Sequence, residues 1–406
     1  MSRSVSDAIV TRWRAIHAIA VARAIGDFGT SLVIWALIFR ERDQGPIAVS
    51  ALFVAAGLPY ILLGPWAGWL ADRFSTKQII PVVSIAQVVL TLVFIIDMPF
   101  WAVLSAVFLY NVAGAVDSPA WQSVIPEIAA PEDLTRTYGI SLGYSSVANI
   151  AAPVAAGVLV ATTGYVWPFI IDAVTFAFLA FVPFILSVNR AGHRPHKDAK
   201  ESAVAGYQHL WSDPLLKAVT AMLGAFIVTI GVVNTGEVFL VMDELGANEA
   251  TYGVLTSLWA VGNLVGSVLL GWKAISLPWQ PRALVLSVWV LGMGILGIAL
   301  APELWVIGVL NAVTGIGSAV LHSVAGSILM TRTPEPIRGR VNAAFSGIVN
   351  FGNLIATAFA GLAIAAWGVR EVMVAGSVLA LATLVVWGRA VYREPLDSPE
   401  TEERRD

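Results

Sequence analysis

The chain has 406 residues, of which 57% are hydrophobic and only 13% are charged. Because ordinary soluble domains carry roughly 25% charged residues, this composition excludes a soluble globular protein and indicates an integral membrane protein. The net charge of −3 suggests no nucleic-acid partner, and the lack of cysteine excludes a disulfide framework and a cysteine-bound metal.

Long apolar segments recur along the chain. A membrane-spanning helix needs about 20 mostly apolar residues. The first segment contains Arg23 and Asp27 and is too long and too charged for a cleaved signal peptide, so it is predicted to be a retained span. The expected fold is an all-α integral membrane protein with twelve transmembrane helices, at 15–39, 47–71, 79–96, 100–123, 137–161, 167–189, 214–242, 249–273, 282–300, 303–331, 341–367 and 371–391.

A polar segment divides these spans into two groups of six. The predicted domains are an N-terminal bundle at 1–189, a central cytoplasmic loop at 190–213, a C-terminal bundle at 214–393 and an acidic cytoplasmic tail at 394–406. Two similar six-span halves are the expected design of a rocking transporter with its substrate site near the midplane.

A weak internal repeat supports this division. Gly-Trp-x-Ala at 68–71 recurs at 271–274, and Pro-Glu at 131–132 recurs at 334–335, an offset of 203 residues in both cases. The second copy of the first motif lacks the Asp-Arg pair that follows it in the first half. The two halves are therefore predicted to be related but not equivalent.

The basic residues predict the orientation in the membrane. With the N-terminus placed in the cytoplasm, 20 of the 24 Lys and Arg residues lie on the cytoplasmic side. Arg40, Arg42 and Arg370 lie on the other side, and Arg23 lies within a span. Since cytoplasmic loops are enriched in Lys and Arg, both termini are expected in the cytoplasm, with the protein in the cell membrane.

The charged segment at 68–77 reads Gly-Trp-Leu-Ala-Asp-Arg-Phe-Ser-Thr-Lys and lies between predicted spans two and three. It resembles the loop signature G-x-x-x-D-R-x-x-R/K of the major facilitator superfamily. Further motifs make the chain most similar to the branch of bacterial drug, macrolide-efflux and enterobactin exporters. These motifs are Arg-x-x-Gly-Asp-x-Gly-Thr at 23–30, Asn-x-x-Gly-x-x-Asp-Ser-Pro-Ala at 111–120 and Arg-Gly-Arg-Val at 338–341.

The resemblance implies a secondary active, multidrug-type antiporter that exports hydrophobic or amphipathic compounds in exchange for protons by alternating access. Its partners would be a small-molecule substrate, protons and the lipid bilayer, and it would act as a monomer. The segment around Pro153 and Gly157 resembles the family's antiporter motif G-P-x-x-G-G, but alanine replaces glycine at Ala152 and Ala156. No catalytic residue, cofactor or metal is expected.

Ionisable residues within the spans are the candidates for proton coupling, because they are costly in a membrane and are therefore functional candidates by default. Asp27 lies about 18 Å along span one, and Arg23 lies one turn earlier on the same face. This pair is either a structural ion pair or a protonation site tuned by Arg23. Glu237 and His322 are further candidates, although Glu237 could face water at a helix end and His322 could be a packing residue.

For the gate and cavity candidates the sequence leaves two interpretations open. A cytoplasmic gate is predicted in which Arg73 or Lys77 bonds Asp117 and Asp72 faces the start of span eleven, with a structural staple as the alternative. Asp172 is expected to reach water at the outer interface. The full gate set is Gly68, Asp72, Arg73, Lys77, Asp117, Arg338 and Arg340, and the cavity candidates, which could instead serve helix packing, are Asn111, Asn149, Trp35 and Trp259.

Two further functions stay open. The chain could export one metabolite, such as a siderophore, instead of many compounds. It could also be a membrane receptor or assembly scaffold that kept the fold without transporting anything.

Overall fold

The architecture is seen in a computed structural model of the chain. The structure describes residues 11–122, 124–130, 133–185, 202–273 and 275–393. The predicted acidic tail and the first half of the predicted central loop, residues 190–201, lie outside these ranges.

Twelve long helices account for most of the described residues, and each is long and apolar enough to cross a membrane. The predicted count and the all-α fold are therefore confirmed. The helices are α1 (Trp13–Glu41), α2 (Pro46–Arg73), α3 (Thr76–Val93), α4 (Phe100–Gln122), α5 (Leu134–Thr163), α6 (Val166–Ile185), α7 (Pro214–Phe239), α8 (Glu249–Trp272), α9 (Gln280–Ala299), α10 (Leu304–Arg332), α11 (Arg338–Trp367) and α12 (Val369–Arg393).

The charged segment at 68–77, which was expected to connect spans two and three, is mostly helical. Helix α2 continues to Arg73, and α3 begins at Thr76. The side chain of Gln78 explains the early start, because its Oε1 accepts hydrogen bonds from the Ser75 N–H at 3.2 Å and the Ser75 hydroxyl at 3.0 Å. Ser-x-x-Gln is a capping-box sequence, so the sequence did contain the signal.

Part of the predicted central loop is also helical. A short helix runs from Ser202 to Ser212 and ends directly before α7. Asp213 then caps α7 by accepting hydrogen bonds from the backbone N–H of Leu215 and Leu216, at 2.8 Å and 3.0 Å. Pro214, the first residue of α7, needs no donor there, so Asp-Pro fixes the start of this helix.

The chain divides into two compact units. The first comprises Met1–Arg40 and Ala55–Pro195, and the second comprises Glu41–Val54 and His196–Asp406. Within the first unit α3 packs against α4 and α6. Within the second, α7 packs against α11 and α12, and α10 packs against α8 and α9.

Small residues allow some of these helices to touch through their backbones. A Cβ atom added at Gly315 of α10 would overlap the carbonyl oxygen of Trp259 in α8, and one added at Gly262 of α8 would overlap the carbonyl oxygen of Ala312 in α10. Close backbone contact at glycine is a common mode of helix packing in membranes. The α8–α10 pair is therefore built around two reciprocal glycines.

Candidate functional site

A polar cavity of about 350 Å³ lies within the first unit. It receives side chains from all six long helices of that unit. Since these helices are otherwise apolar, a polar cavity between them is the candidate site. Its lining comprises Arg23, Gly26, Asp27, Thr30, Ser31, Tyr60, Gln87, Tyr110, Gly114, Asp117, Ser118, Trp121, Asn149, Phe176 and Leu179.

The charged part of the cavity is one arginine between two carboxylates. Arg23 Nη2 lies 3.9 Å from Asp27 Oδ1, and Arg23 Nη1 lies 3.8 Å from Asp117 Oδ2. Arg23 and Asp27 share a face of α1 because they are four residues apart, whereas Asp117 comes from α4. We call these three residues the charged triad. With both carboxylates ionised its net charge is negative.

The two carboxylates differ in their surroundings. The Asp27 side chain is 33% exposed and that of Asp117 is 15% exposed. Asp27 also accepts a hydrogen bond of 2.6 Å from the Ser145 hydroxyl of α5. Asp27 is thus the carboxylate more accessible from the cavity, and it is held from two helices.

Gly114 makes room for a tyrosine on the cavity wall. A Cβ atom at this position would lie 2.6 Å from the Tyr60 hydroxyl oxygen. Tyr60 comes from α2 and Gly114 from α4. Because glycine has no side chain, the Tyr60 hydroxyl can lie close to the backbone of α4 beside Asp117. This contact gives a physical reason for glycine in the 111–120 motif.

The structure separates the four predicted cavity residues. Asn149 lines the cavity. Asn111 instead donates a hydrogen bond of 2.9 Å to the Val107 carbonyl of its own helix, and the Trp35 ring lies 6.4 Å from that of Phe39. Trp259 is 39% exposed on α8, in the second unit. The two residues of the segment that resembles the antiporter motif, Pro153 and Gly157, are both buried within α5.

The predicted gate residues are arranged differently from the expectation. Asp117 pairs with Arg23, and no described ion pair joins it to Arg73 or Lys77. The Arg73 guanidinium instead lies over the Trp69 ring, 5.0 Å from its centre, at the exposed end of α2. Depth along the helix suggested the wrong partner, because α1 places Arg23 directly opposite Asp117.

The remaining predicted gate residues either lie near helix ends or have side chains that the structure does not describe. The side chains of Gly68 and Asp72 are not among those that the structure describes, although both residues lie within α2. Arg338 Nε donates to the Thr333 carbonyl at 3.1 Å, and Arg340 is exposed at the start of α11.

Asp172 is fully buried, which corrects the expectation that it would reach water. Its side chain is 0% exposed, and Oδ2 accepts hydrogen bonds from Thr91 at 2.6 Å and Tyr110 at 3.1 Å. Position near the start of α6 indicated its depth but not the helices that cover it.

Glu237 is also buried, at 6% exposure, so a water-facing end position is wrong. Asn311 Nδ2 of α10 donates to Glu237 Oε1 at 2.7 Å and to the Leu255 carbonyl at 3.1 Å. The helical path continues past Glu237 through a π-turn at Leu240–Glu244, so the residue lies inside the span. His322 Nδ1 donates to the Ser318 carbonyl at 2.8 Å, one turn earlier in α10.

The Asn311–Glu237 hydrogen bond predicts a measurable loss of stability. Asn311→Ala leaves a buried carboxyl without its amide donor, and we expect the free energy of unfolding in mild detergent to fall by about 1–3 kcal/mol. Asn350→Ala is the matched control, because Asn350 is exposed on α11. Equal unfolding free energies for the two variants would show that the hydrogen bond contributes nothing to stability.

Comparison with protein families identifies related sequences over most of the chain. The model described as Major Facilitator Superfamily matches residues 17–241 and 222–406. Macrolide efflux protein A of Streptococcus pyogenes is 22% identical over 343 residues, which cover 80% of this chain and 83% of that protein. The enterobactin exporter of Citrobacter koseri is 26% identical over 325 residues, covering 77% and 74%.

Solved structures share the fold. The nucleoside transporter NupG has a TM-score of 0.73 and 13% identity, covering 94% of this chain and 99% of its own. An inward-facing bacterial homolog of the human lysosomal transporter Spinster has a TM-score of 0.70 and 15% identity, covering 93% and 96%. At these identities the likeness shows the architecture alone.

Proposed function

Because the chain belongs to the major facilitator superfamily, and is therefore a multi-pass membrane transporter and not an enzyme, we propose that it exports amphipathic compounds in exchange for protons. The observation that carries this proposal is the charged triad on the cavity wall. Outward transport is supported by the similarity to a macrolide efflux protein and an enterobactin exporter.

The charge balance of the triad supports proton coupling. One guanidinium cannot neutralise two carboxylates, and an uncompensated charge within a membrane is costly. A proton bound at Asp27 removes the excess negative charge and leaves Arg23 to pair with Asp117. When the proton leaves, the cavity becomes net negative and attracts a cation.

The same charge balance accounts for the proposed exchange of a proton for the substrate. A proton on Asp27 and a positive group of the substrate compensate the same negative charge, so each lowers the affinity for the other. This competition is a reciprocal coupling between two ligands. Protons entering the cavity would therefore release the substrate, as alternating access in an antiporter requires.

The cavity lining suggests the class of substrate. Trp121, Phe176 and Tyr60 offer aromatic surface beside the two carboxylates. Aromatic faces and carboxylates together favour a positively charged group on an apolar body. We propose that the transported compounds are amphipathic and carry a weakly basic amine or a fixed positive charge.

The orientation stays part of the proposal. The excess of Lys and Arg on one side supports a protein that lies in a bacterial cell membrane with both termini in the cytoplasm. Since the cavity is formed within one unit of one chain, a monomer would suffice for function.

A flux experiment tests the proposal directly. The purified protein is reconstituted in proteoliposomes, and the movement of a fluorescent lipophilic cation such as ethidium is followed with and without an imposed pH gradient. We expect flux of the cation that rises with the gradient and is inhibited by other cationic amphipaths. A neutral amphipath of similar size serves as the matched probe and is expected to move more slowly.

Two outcomes would contradict the proposal. Flux of a siderophore without flux of any lipophilic cation would favour a dedicated exporter. If the gradient moves no cation, neutral amphipath or siderophore, a receptor or scaffold would be favoured.

A further inference from the structure

A third carboxyl group, that of Asp172, lies beside the cavity among aromatic rings. The Asp172 side chain is 0% exposed. Phe169 and Phe176 lie about one turn before and after it on α6. The Phe94 ring lies 5.7 Å from the Phe169 ring, and the Tyr110 ring lies 6.0 Å from the Phe176 ring. The carboxyl group therefore lies in surroundings that solvate charge poorly.

Two hydroxyl groups hold this carboxyl from neighbouring helices. Thr91 of α3 donates to Oδ2 at 2.6 Å, and Tyr110 of α4 lies 3.1 Å from Oδ2 and 3.3 Å from Oδ1. On α1, Gly29 leaves room for the carboxyl, because a Cβ atom there would lie 2.5 Å from Oδ1. Three helices thus converge on one acidic side chain.

No cation pairs with Asp172 among the ion pairs that the structure describes. Arg40, at the end of α1, lies over the Phe169 ring and donates to the Phe94 carbonyl at 2.6 Å. Tyr110 is the titratable group that α4 brings to the carboxyl. The parts of the other helices that face Asp172 contain no charged residue. These parts are residues 28–39 of α1, 78–93 of α3, 100–116 of α4 and 145–163 of α5.

A path of hydroxyl groups connects this carboxyl with the cavity. The Thr30 hydroxyl lies 3.1 Å from the Tyr110 hydroxyl, and both residues line the cavity. The Tyr110 hydroxyl in turn reaches Asp172. Thr91 contacts the same carboxyl but is fully buried and does not line the cavity. Tyr110 is therefore placed to pass a proton, whereas Thr91 is not.

We propose that Asp172 is a second proton-binding site, distinct from Asp27 and loaded from the cavity through Tyr110. The Tyr110 hydroxyl gives its proton to the Asp172 carboxylate while it takes one from the Thr30 hydroxyl, which takes one from a hydronium ion in the cavity and leaves a water molecule there. Both hydroxyl groups are restored, and the net change is one proton moved from a hydronium ion to the carboxylate. That this proton takes part in the exchange rests on the proposed function, whereas its binding does not.

Infrared difference spectroscopy of the purified protein tests the site. The C=O stretching band of protonated carboxyl groups is followed as the pH is changed, in wild type, Asp172→Asn and Asp27→Asn. We expect a titrating band that is lost in Asp172→Asn and kept in Asp27→Asn. A separate titrating band that is lost only in Asp27→Asn would belong to the first site. If no titrating band is lost in Asp172→Asn, the proposal is overturned.

Two hydroxyl variants test the path and keep the carboxyl, so they remain informative if Asp172→Asn does not fold. After a rapid pH jump, Tyr110→Phe is expected to slow the appearance of the band roughly 100-fold, as for loss of a positioned proton-transfer group. Thr91→Val removes a donor to the same carboxyl but should leave the rate within a few-fold of wild type. Equal slowing in both variants would overturn the path through Tyr110.

The flux assay separates this inference from the proposed function. A titrating Asp172 band with slow exchange in Tyr110→Phe, but without gradient-driven flux in wild type, would support the proton site and contradict the exporter. Gradient-driven flux together with an Asp172 band that never titrates would do the reverse.

Discussion

Flux driven by a pH gradient is expected to fall by roughly 100-fold in Asp27→Asn, because a positioned proton-transfer group contributes at least that factor. Asparagine has nearly the same shape and its carbonyl oxygen can still accept the hydrogen bond from Ser145. It cannot bind a proton at this position, and it leaves Arg23 paired with Asp117 alone. The negative charge that the proton and the substrate would share is therefore lost.

The measurement is the initial rate of cation flux into proteoliposomes at a fixed pH gradient. Asp97→Asn is the matched control, because Asp97 is exposed in the connection between α3 and α4 and undergoes the same chemical change. We expect Asp97→Asn to transport like wild type. If Asp27→Asn kept wild-type gradient-driven flux, the charged triad would not be the coupling site.

The helices could be predicted because their signal is local. A span needs about 20 apolar residues whatever its neighbours are, so all twelve were found from the sequence. Their ends were less certain. The start of α3 at Thr76 depends on one side chain, Gln78, which caps the helix, and a hydropathy pattern does not contain that information.

Part of the charged triad could be predicted for the same reason. Arg23 and Asp27 are one helical turn apart, so their proximity follows from the geometry of α1 alone. Asp117 was expected to pair with Arg73 or Lys77, since these lie at a similar depth. Its pairing with Arg23 depends on the packing of α1 against α4, and the sequence of either helix does not specify that contact.

The two buried carboxyl groups, those of Asp172 and Glu237, show more clearly what position along a single helix does not predict. Position along the helix suggested water-exposed ends for both Asp172 and Glu237, yet both are covered by neighbouring helices. Their hydrogen-bond partners, Thr91 and Tyr110 for one and Asn311 for the other, are far away in the sequence. Depth can be read from one helix, but burial of an acidic side chain depends on several.

The contact between α8 and α10 predicts the largest effect on stability. A Cβ atom at Gly315 would overlap the Trp259 carbonyl oxygen and lie 2.8 Å from the Asn263 nitrogen, and these atoms are backbone. A flexible side chain could turn away, but a backbone can give way only if the helices separate. We therefore expect Gly315→Ala to lower the free energy of unfolding by about 3 kcal/mol, the upper end of the usual cost of overpacking.

Gly326→Ala is the matched control on the same helix, since nothing lies within 4 Å of a Cβ atom at Gly326. Alanine favours a helix over glycine by up to about 1 kcal/mol, so this variant should be as stable as wild type or more stable. Denaturant or thermal unfolding of both variants in the same detergent gives the comparison. Equal stability of the two would mean that α8 and α10 do not touch through their backbones. A large loss in Gly315→Ala alone would show that glycine at this position is required for helix contact and not for helix formation.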